Sequence, residues 1–268
     1  MIVLIKGAGD IASGVAHRLV RSGFNVIMTE IAEPTMVRRT VSFGEAVYQG
    51  SVTVESITAR LVNIDADLKP VWASKEIPVI IDPNGFSVQR IQPQVLVDAI
   101  LAKKNTGTSL GKAPLTIGLG PGFTAGVDVK AVIETMRGHD LGRVIYEGPA
   151  RPNTGIPGEI GGQSLKRLLR APAGGVFISN HKIGDFVQEG EVVGQVNNIA
   201  VKAEITGILR GLLKSGLVVS MGMKIGDIDP RASREHCYTV SDKARAVAGG
   251  VLEAILSACD GKTLKLKI

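Results

Sequence analysis

The chain has 268 residues, with 44% hydrophobic and 21% charged side chains. That balance suits a folded protein of one large or two smaller domains and excludes a disordered chain. A net charge of +6 with only 4% aromatic residues argues against a nucleic-acid binder, which needs stacking platforms as well as cations. No apolar run approaches the ~18 residues of a membrane span. The two cysteines, Cys237 and Cys259, are too few for a disulfide framework or a cysteine zinc site. Neither a membrane location nor a metal site is expected, and a cytoplasmic chain with reduced thiols is.

The first elements follow one another closely. Residues 2–5 are an apolar run, and Gly7-Ala8-Gly9-Asp10-Ile11-Ala12 comes directly after Lys6. A helix follows, with Ile11, Val15, Leu19 and Val20 on one face and a stop at Ser22-Gly23. Phe24–Met28 then reads as a second strand. This is the strand–glycine loop–helix–strand unit of dinucleotide folds. Gly7 would allow the tight turn, Gly9 would admit a pyrophosphate to the amides of the helix start, and Ala12 would let helix and strand pack closely. Asp10 favours the helix dipole but opposes a bound phosphate. Glu30, 21 positions after Gly9, stands where an acid commonly takes a ribose hydroxyl.

Further strands are expected at Ile77–Ile81, Leu115–Leu119 and Arg143–Tyr146, with helices over 93–103 and 127–136. Two strands end in polar or glycine-rich loops, Asp82–Gly85 and Gly118–Gly126, the latter containing Gly120, Gly122 and Thr124. With Gly7–Asp10 they would line one rim of a parallel sheet, the usual ligand position in such folds. Arg38-Arg39 offers guanidinium forks for a phosphate or carboxylate, or a solvated charge pair. His139 and Arg143 flank Asp140 and are the candidate proton-handling residues.

Glu147–Gln163 holds three prolines and five glycines, which exclude helix and leave a connector. Arg151, Asn153 and Thr154 would turn toward a ligand from it. From Arg170, short strands alternate with turns. The spacing Gly184-Asp185-x-Val187-x-x-Gly190, followed by Ala203-x-x-x-Gly207, resembles the hairpins of biotinyl and lipoyl carrier domains. The hairpin tip near Gln195–Asn198 lacks a lysine, and Lys202 lies too close to Gly207, so no biotin or lipoate attachment is expected. Ser241 reads as the N-cap of a helix over Asp242–Ala258, with Val247, Val251, Leu252 and Ile255 as its apolar stripe. Gly249-Gly250 within it implies close packing against backbone. Cys237, beside His236, reads as a buried inert thiol.

The expected architecture is α/β: a Rossmann-like parallel-sheet domain over 1–150, a linker or functional loop over 151–169, a small all-β barrel-sandwich domain over 170–232, and a C-terminal helix over 233–268 packing back on the core.

Several segments resemble the YqeB-type accessory proteins of the selenium-dependent molybdenum hydroxylase system. They are Ile5–Leu19, Gly142–Gly148, Asn153–Pro157, Lys224–Arg231 and Ser241–Arg245 through Gly249–Ala254. The resemblance spans nearly the whole chain, and its motifs occur in order. It implies a part in maturing a molybdenum hydroxylase, with that enzyme or its cofactor-synthesis proteins as partners and a molybdenum cofactor or other small anion as ligand. It assigns no catalytic residue. An NAD(P)-dependent oxidoreductase, with NAD favoured by Glu30, and a non-catalytic scaffold are the alternative readings. Oligomerisation is compatible with all three.

Overall fold

The computed structural model describes residues 1–155 and 158–259. The chain forms two units. The first comprises Met1–Pro34, Ser42–Thr154 and the segment from Val240 onward; the second comprises Thr35–Val41 and Gly155–Thr239.

In the first unit, the apolar run becomes β1 (Ile2–Lys6), followed by α1 (Asp10–Arg21) and β2 (Asn25–Glu30). A hairpin, β3 (Ser51–Val54) and β4 (Ile57–Leu61), comes next, after the short α2 (Ala46–Gln49). Then follow α3 (Lys69–Ala73), β5 (Ile77–Ile81), α4 (Phe86–Ile91), β6 (Val95–Asp98), β7 (Leu115–Leu119), β8 (Thr124–Ala125), β9 (Ala131–Ile133), β10 (Val144–Ile145) and β11 (Gly148–Pro149). One sheet of nine strands runs in the order β10-β9-β7-β6-β1-β2-β5-β4-β3. From β4 to β9 every neighbour pair is parallel, while β3 and β10 close the edges antiparallel.

The unbroken apolar strands explain the core, because a parallel sheet is covered on both faces. Leu4, Ile27, Ile80 and Leu96 form one cluster with Leu68, Val88 and Ala113. Helix α5 (Asp242–Ser257) packs on α1. An added Cβ at Gly14 would lie 2.7 Å from Ala244 Cβ, so the two helices meet at near-backbone distance there. Ser241 caps α5 by accepting the amide of Ala244. Gly250 faces Gly142 so closely that a methyl would overlap its carbonyl oxygen, whereas Gly249 faces open space. The close packing implied by the glycine pair therefore belongs to Gly250 alone.

Segments 93–103 and 127–136 are not helices. They contain β6 and β9, whose Val95-Leu-Val97 and Ala131-Val-Ile133 are buried between neighbouring strands. Short apolar runs carry no period that separates helix from strand, and pairing with β1 and β7 decides them.

The second unit contains β12 (Leu168–Arg170), β13 (Gly175–Ile178), β14 (Phe186–Val187), β15 (Val192–Val196), β16 (Ile199–Lys202), β17 (Gly207–Leu212), β18 (Val218–Val219) and β19 (Lys224–Asp229). They form two four-stranded antiparallel sheets, β12-β19-β17-β14 and β16-β15-β13-β18. The tip of the β15–β16 hairpin is Asn197-Asn198, both with positive φ, the backbone that a tight hairpin turn demands.

The expected fold class is corrected on two points and stays α/β. The large sheet is mixed, because hairpin β3–β4 and strand β10 add antiparallel edges; its parallel centre fits a Rossmann-like order only loosely. A separate biotinyl- or lipoyl-like barrel-sandwich is not formed by 170–232. The β unit recruits Thr35–Val41, where Val37 O accepts the Leu212 amide at 2.7 Å and Arg39 Nε donates to Leu212 O at 3.0 Å.

Among the described residues no helix is long and apolar enough to cross a membrane.

Candidate functional site

The loops after β1, β5 and β7 leave the same end of a parallel run, so Gly7–Asp10, Asp82–Gly85 and Gly118–Gly126 share one rim, as the sequence predicts. What fills that rim is largely the protein itself. The Gly7 amide donates to Thr29 O at 2.9 Å, and the Ala8 amide donates to Glu30 Oε2 at 2.9 Å. The second oxygen of Glu30 accepts the Ile31 amide. Burial pushes the Glu30 carboxyl above the usual range, against the pull of these two amides. Each oxygen thus accepts one backbone amide, which fixes the carboxylate against the first glycine loop and leaves one lone pair on each oxygen.

The other loops are closed in the same way. Asp82 accepts the amides of Phe86 (3.0 Å) and Ser87 (2.7 Å), fastening the start of α4. Burial raises the Asp82 carboxyl, but donors from Ser87, Phe86 and Gly85 outweigh it and hold the group below its ordinary value. Gly120 donates to Ile133 O at 2.8 Å, and Thr124 donates to Asp128 Oδ2 at 2.8 Å.

Segment 99–113, between β6 and β7, accounts for two of the glycines. Gly7 (φ +89°) and Gly122 (φ +109°) are the closest to it: an added Cβ would lie 3.1 Å from Ala99 O and 2.7 Å from the Lys104 amide nitrogen, respectively. Glycine is required there by the chain's own backbone rather than by an approaching ligand. The segment is pinned at the junction of β1 and β6. Lys6 Nζ donates to Asp98 Oδ2 and to Thr108 Oγ1, both at 2.9 Å, and the Thr108 hydroxyl donates to Asp98 at 2.6 Å. Asp98 and Thr108 are each 1% exposed.

The start of α1 is different. Gly9 is its N-cap, with φ −70° and no side-chain cap, and nothing lies within 4 Å of its added Cβ. Ala12, one turn in, is buried against the sheet. Lys243, in the first turn of α5, feels the charge of Asp10 at this end of α1. Burial pushes its amine below the usual lysine range; Asp10 and Glu134 oppose that shift and Arg137 reinforces it. The packing of α1 on α5 through Gly14 and Ala244 brings this lysine within range of the Asp10 charge. Arg137 grips Asp242 through two bonds, at 2.7 and 2.9 Å.

Glu134, buried at the end of β9, accepts the amides of Met136 (2.7 Å) and Arg151 (2.9 Å). Arg151 from the connector also pairs with Asp140. Arg143 pairs with the same carboxylate at 2.8 Å, and His139 is exposed. Among the described residues, Arg143 is thus held at Asp140 and His139 faces solvent, neither bonded to the glycine loop. Lys243 escaped notice because the register of α5 against α1 has no local signature, although Ser241-Asp-Lys-Ala-Arg245 is itself one of the motifs that carried the family resemblance.

In the second unit, Arg38 is buried and donates to the carbonyls of His236 (2.9 Å) and Thr239 (3.4 Å). The two arginines of the Arg38-Arg39 pair fasten backbone here. Cys237 is fully buried, and burial pushes its thiol up, against nearby arginines. Among the described residues no group of three His, Cys, Asp or Glu side chains is placed to hold a metal.

No protein-family model matches the chain. Over 255 residues it is 53% identical to a protein of Escherichia coli K12 described as "Uncharacterized protein YqeB", which covers 95% of this chain and 47% of that protein. The chain is thus a relative of YqeB and spans about half the length of the curated relative it matches. Among solved structures, an aspartoacylase family protein from Mesorhizobium loti is 12% identical, with 85% of this chain and 84% of that one covered and a TM-score of 0.27. The product-bound ectoine utilization protein EutE from Ruegeria pomeroyi is 8% identical over the same shares, with a TM-score of 0.25. A succinylglutamate desuccinylase/aspartoacylase from Rhodobacter sphaeroides is 21% identical over 25% of this chain and 22% of that one, with a TM-score of 0.21.

Proposed function

We propose that this chain is the small-anion-handling part of a YqeB-type accessory protein that serves the maturation of a selenium-dependent molybdenum hydroxylase in the cytoplasm. Its ligand is a nucleotide-like or pterin phosphate, such as a molybdenum cofactor, and its partners are the hydroxylase or the proteins that make that cofactor.

The observation that supports this reading is the open start of α1. Gly9 has free space above it and no side-chain cap; Gly85 at the start of α4 is equally open, but there Asp82 already accepts the amides of Phe86 and Ser87. Helix starts carry partial positive charge on unpaired amides, and Lys243 adds a cation within reach of Asp10. The residues fit the anionic end of such a ligand. Gly9, the first-turn amides up to Ala12 and Lys243 would hold it.

The test is a thermal-shift panel of NAD, NADP, CTP, GTP and a molybdopterin source on the wild-type chain and Gly9→Asp. The added side chain meets no atom and needs no left-handed backbone, so the variant folds. A phosphate-bearing ligand is expected to raise the wild-type melting temperature and leave the variant unmoved. Equal shifts in both proteins, or no shift with any ligand, overturn the reading.

A further inference from the structure

A second concavity lies at the opposite end of the sheet, where α1 stops and β2 begins. It encloses about 450 Å³, within the usual range for small-molecule pockets. Its apolar wall is built by Phe24, Ile57 and Trp72. The indole of Trp72 is locked in place by its N–H bond to Val26 O at 2.7 Å, so the ring is a fixed surface.

The polar wall has a definite sign. Arg21, Lys75 and Glu76 line it. Glu76 is already neutralised: Arg60 Nε reaches one of its oxygens at 2.6 Å and Arg60 Nη2 the other at 2.9 Å. That bidentate bond holds the Glu76 carboxyl below its ordinary range. Arg21 and Lys75 are exposed and have no carboxylate bonded to them among the described residues. Lys75 also adopts φ +58° in the turn that leads from α3 to β5. Glycine or asparagine would occupy that backbone more easily, so a long cationic side chain there stands against local preference, a pattern associated with functional sites.

We propose that this pocket binds a small planar aromatic acid, its ring against Trp72 and Phe24 and its negative group between Arg21 and Lys75. Aromatic side chains favour a planar ring, and two cations beside a neutralised carboxylate select an anion over a neutral or cationic analogue. The site is separate from the start of α1, and neither reading depends on the other.

Trp72 is the chain's single tryptophan, so its fluorescence reports this pocket directly. The wild-type chain, Arg21→Gln, Lys75→Gly and the double variant are titrated with 4-nitrobenzoate, 4-nitrobenzamide and 4-nitrobenzylammonium, with inner-filter correction. Glycine suits the backbone at position 75, so folding is retained. Saturable quenching by the nitrobenzoate is expected, at least tenfold tighter than by the amide or the ammonium compound. Each single variant should weaken it severalfold, and the double variant should abolish saturation. Linear quenching alike for all three probes, or saturable quenching that the variants leave unchanged, overturns the proposal.

Discussion

Glu30 reaches back from the end of β2 to accept the amide of Ala8 at 2.9 Å, so the first glycine loop is closed from within. The bond ties the acid expected to take a ribose hydroxyl to the loop residue that precedes Gly9. Because burial raises its folded pKa above that of the unfolded chain, the folded state holds the Glu30 proton to higher pH. The stability it contributes is full below about pH 4.5 and is lost as pH rises through the raised value. Denaturant melts of the wild type and Glu30→Gln should therefore differ more in favour of the wild type at pH 4.5 than at pH 7. A difference independent of pH would contradict this.

The two glycines of the first loop should respond unequally to alanine. Gly7→Ala forces a methyl into a left-handed backbone 3.1 Å from Ala99 O and should destabilise by about 2 kcal/mol. Gly9→Ala meets open space but puts a poor N-cap residue at the start of α1 and should cost only about 0.5–1 kcal/mol. Urea unfolding midpoints of the pair provide the measurement.

A similar contrast lies in α5. Helix propensity alone makes alanine better than glycine by about 1 kcal/mol, and at the unobstructed Gly249 that gain should appear in full. At Gly250 the methyl would overlap the Gly142 carbonyl, so overpacking of about 1–3 kcal/mol should outweigh it. Thermal melts of Gly249→Ala and Gly250→Ala should move in opposite directions.

His17 supplies a pH-dependent test. It is 5% exposed on α1, with Nε2 3.5 Å from Glu55 Oε2. Burial lowers its pKa below 6.5; Glu55 opposes the shift, while Arg21, Arg245 and Arg18 add to it. The unfolded chain therefore takes up this proton first as pH falls. Stability is full above about pH 6.5 and declines from there toward the lowered folded value. His17→Gln should flatten that decline, and Glu55→Gln should steepen it by removing the opposing charge. Unfolding free energies measured between pH 5 and 8 would show both slopes.

The sequence made part of this fold legible for identifiable reasons. The β1–α1–β2 unit, β5, β7 and the Ser241-capped α5 all carry long periods or uninterrupted apolar runs. Strands β6 and β9 were hidden because three or four apolar residues fit either element, and only partners far along the chain settle them. The rim was legible as a place but not as a surface. Glycines at 7 and 122 signal that something comes near, and only the path of 99–113 identifies it as backbone. Lys243 illustrates the converse. Its helix was readable from Ser241 onward, but its neighbour Asp10 is more than 230 positions away.

The excursion of Thr35–Val41 into the β unit has a genetic consequence. Leu212 takes an acceptor and a donor from a stretch encoded more than 170 codons earlier. Residues 155–239 thus cannot be transplanted or lost as a cassette without leaving an open edge, and recombination at those boundaries should yield insoluble products.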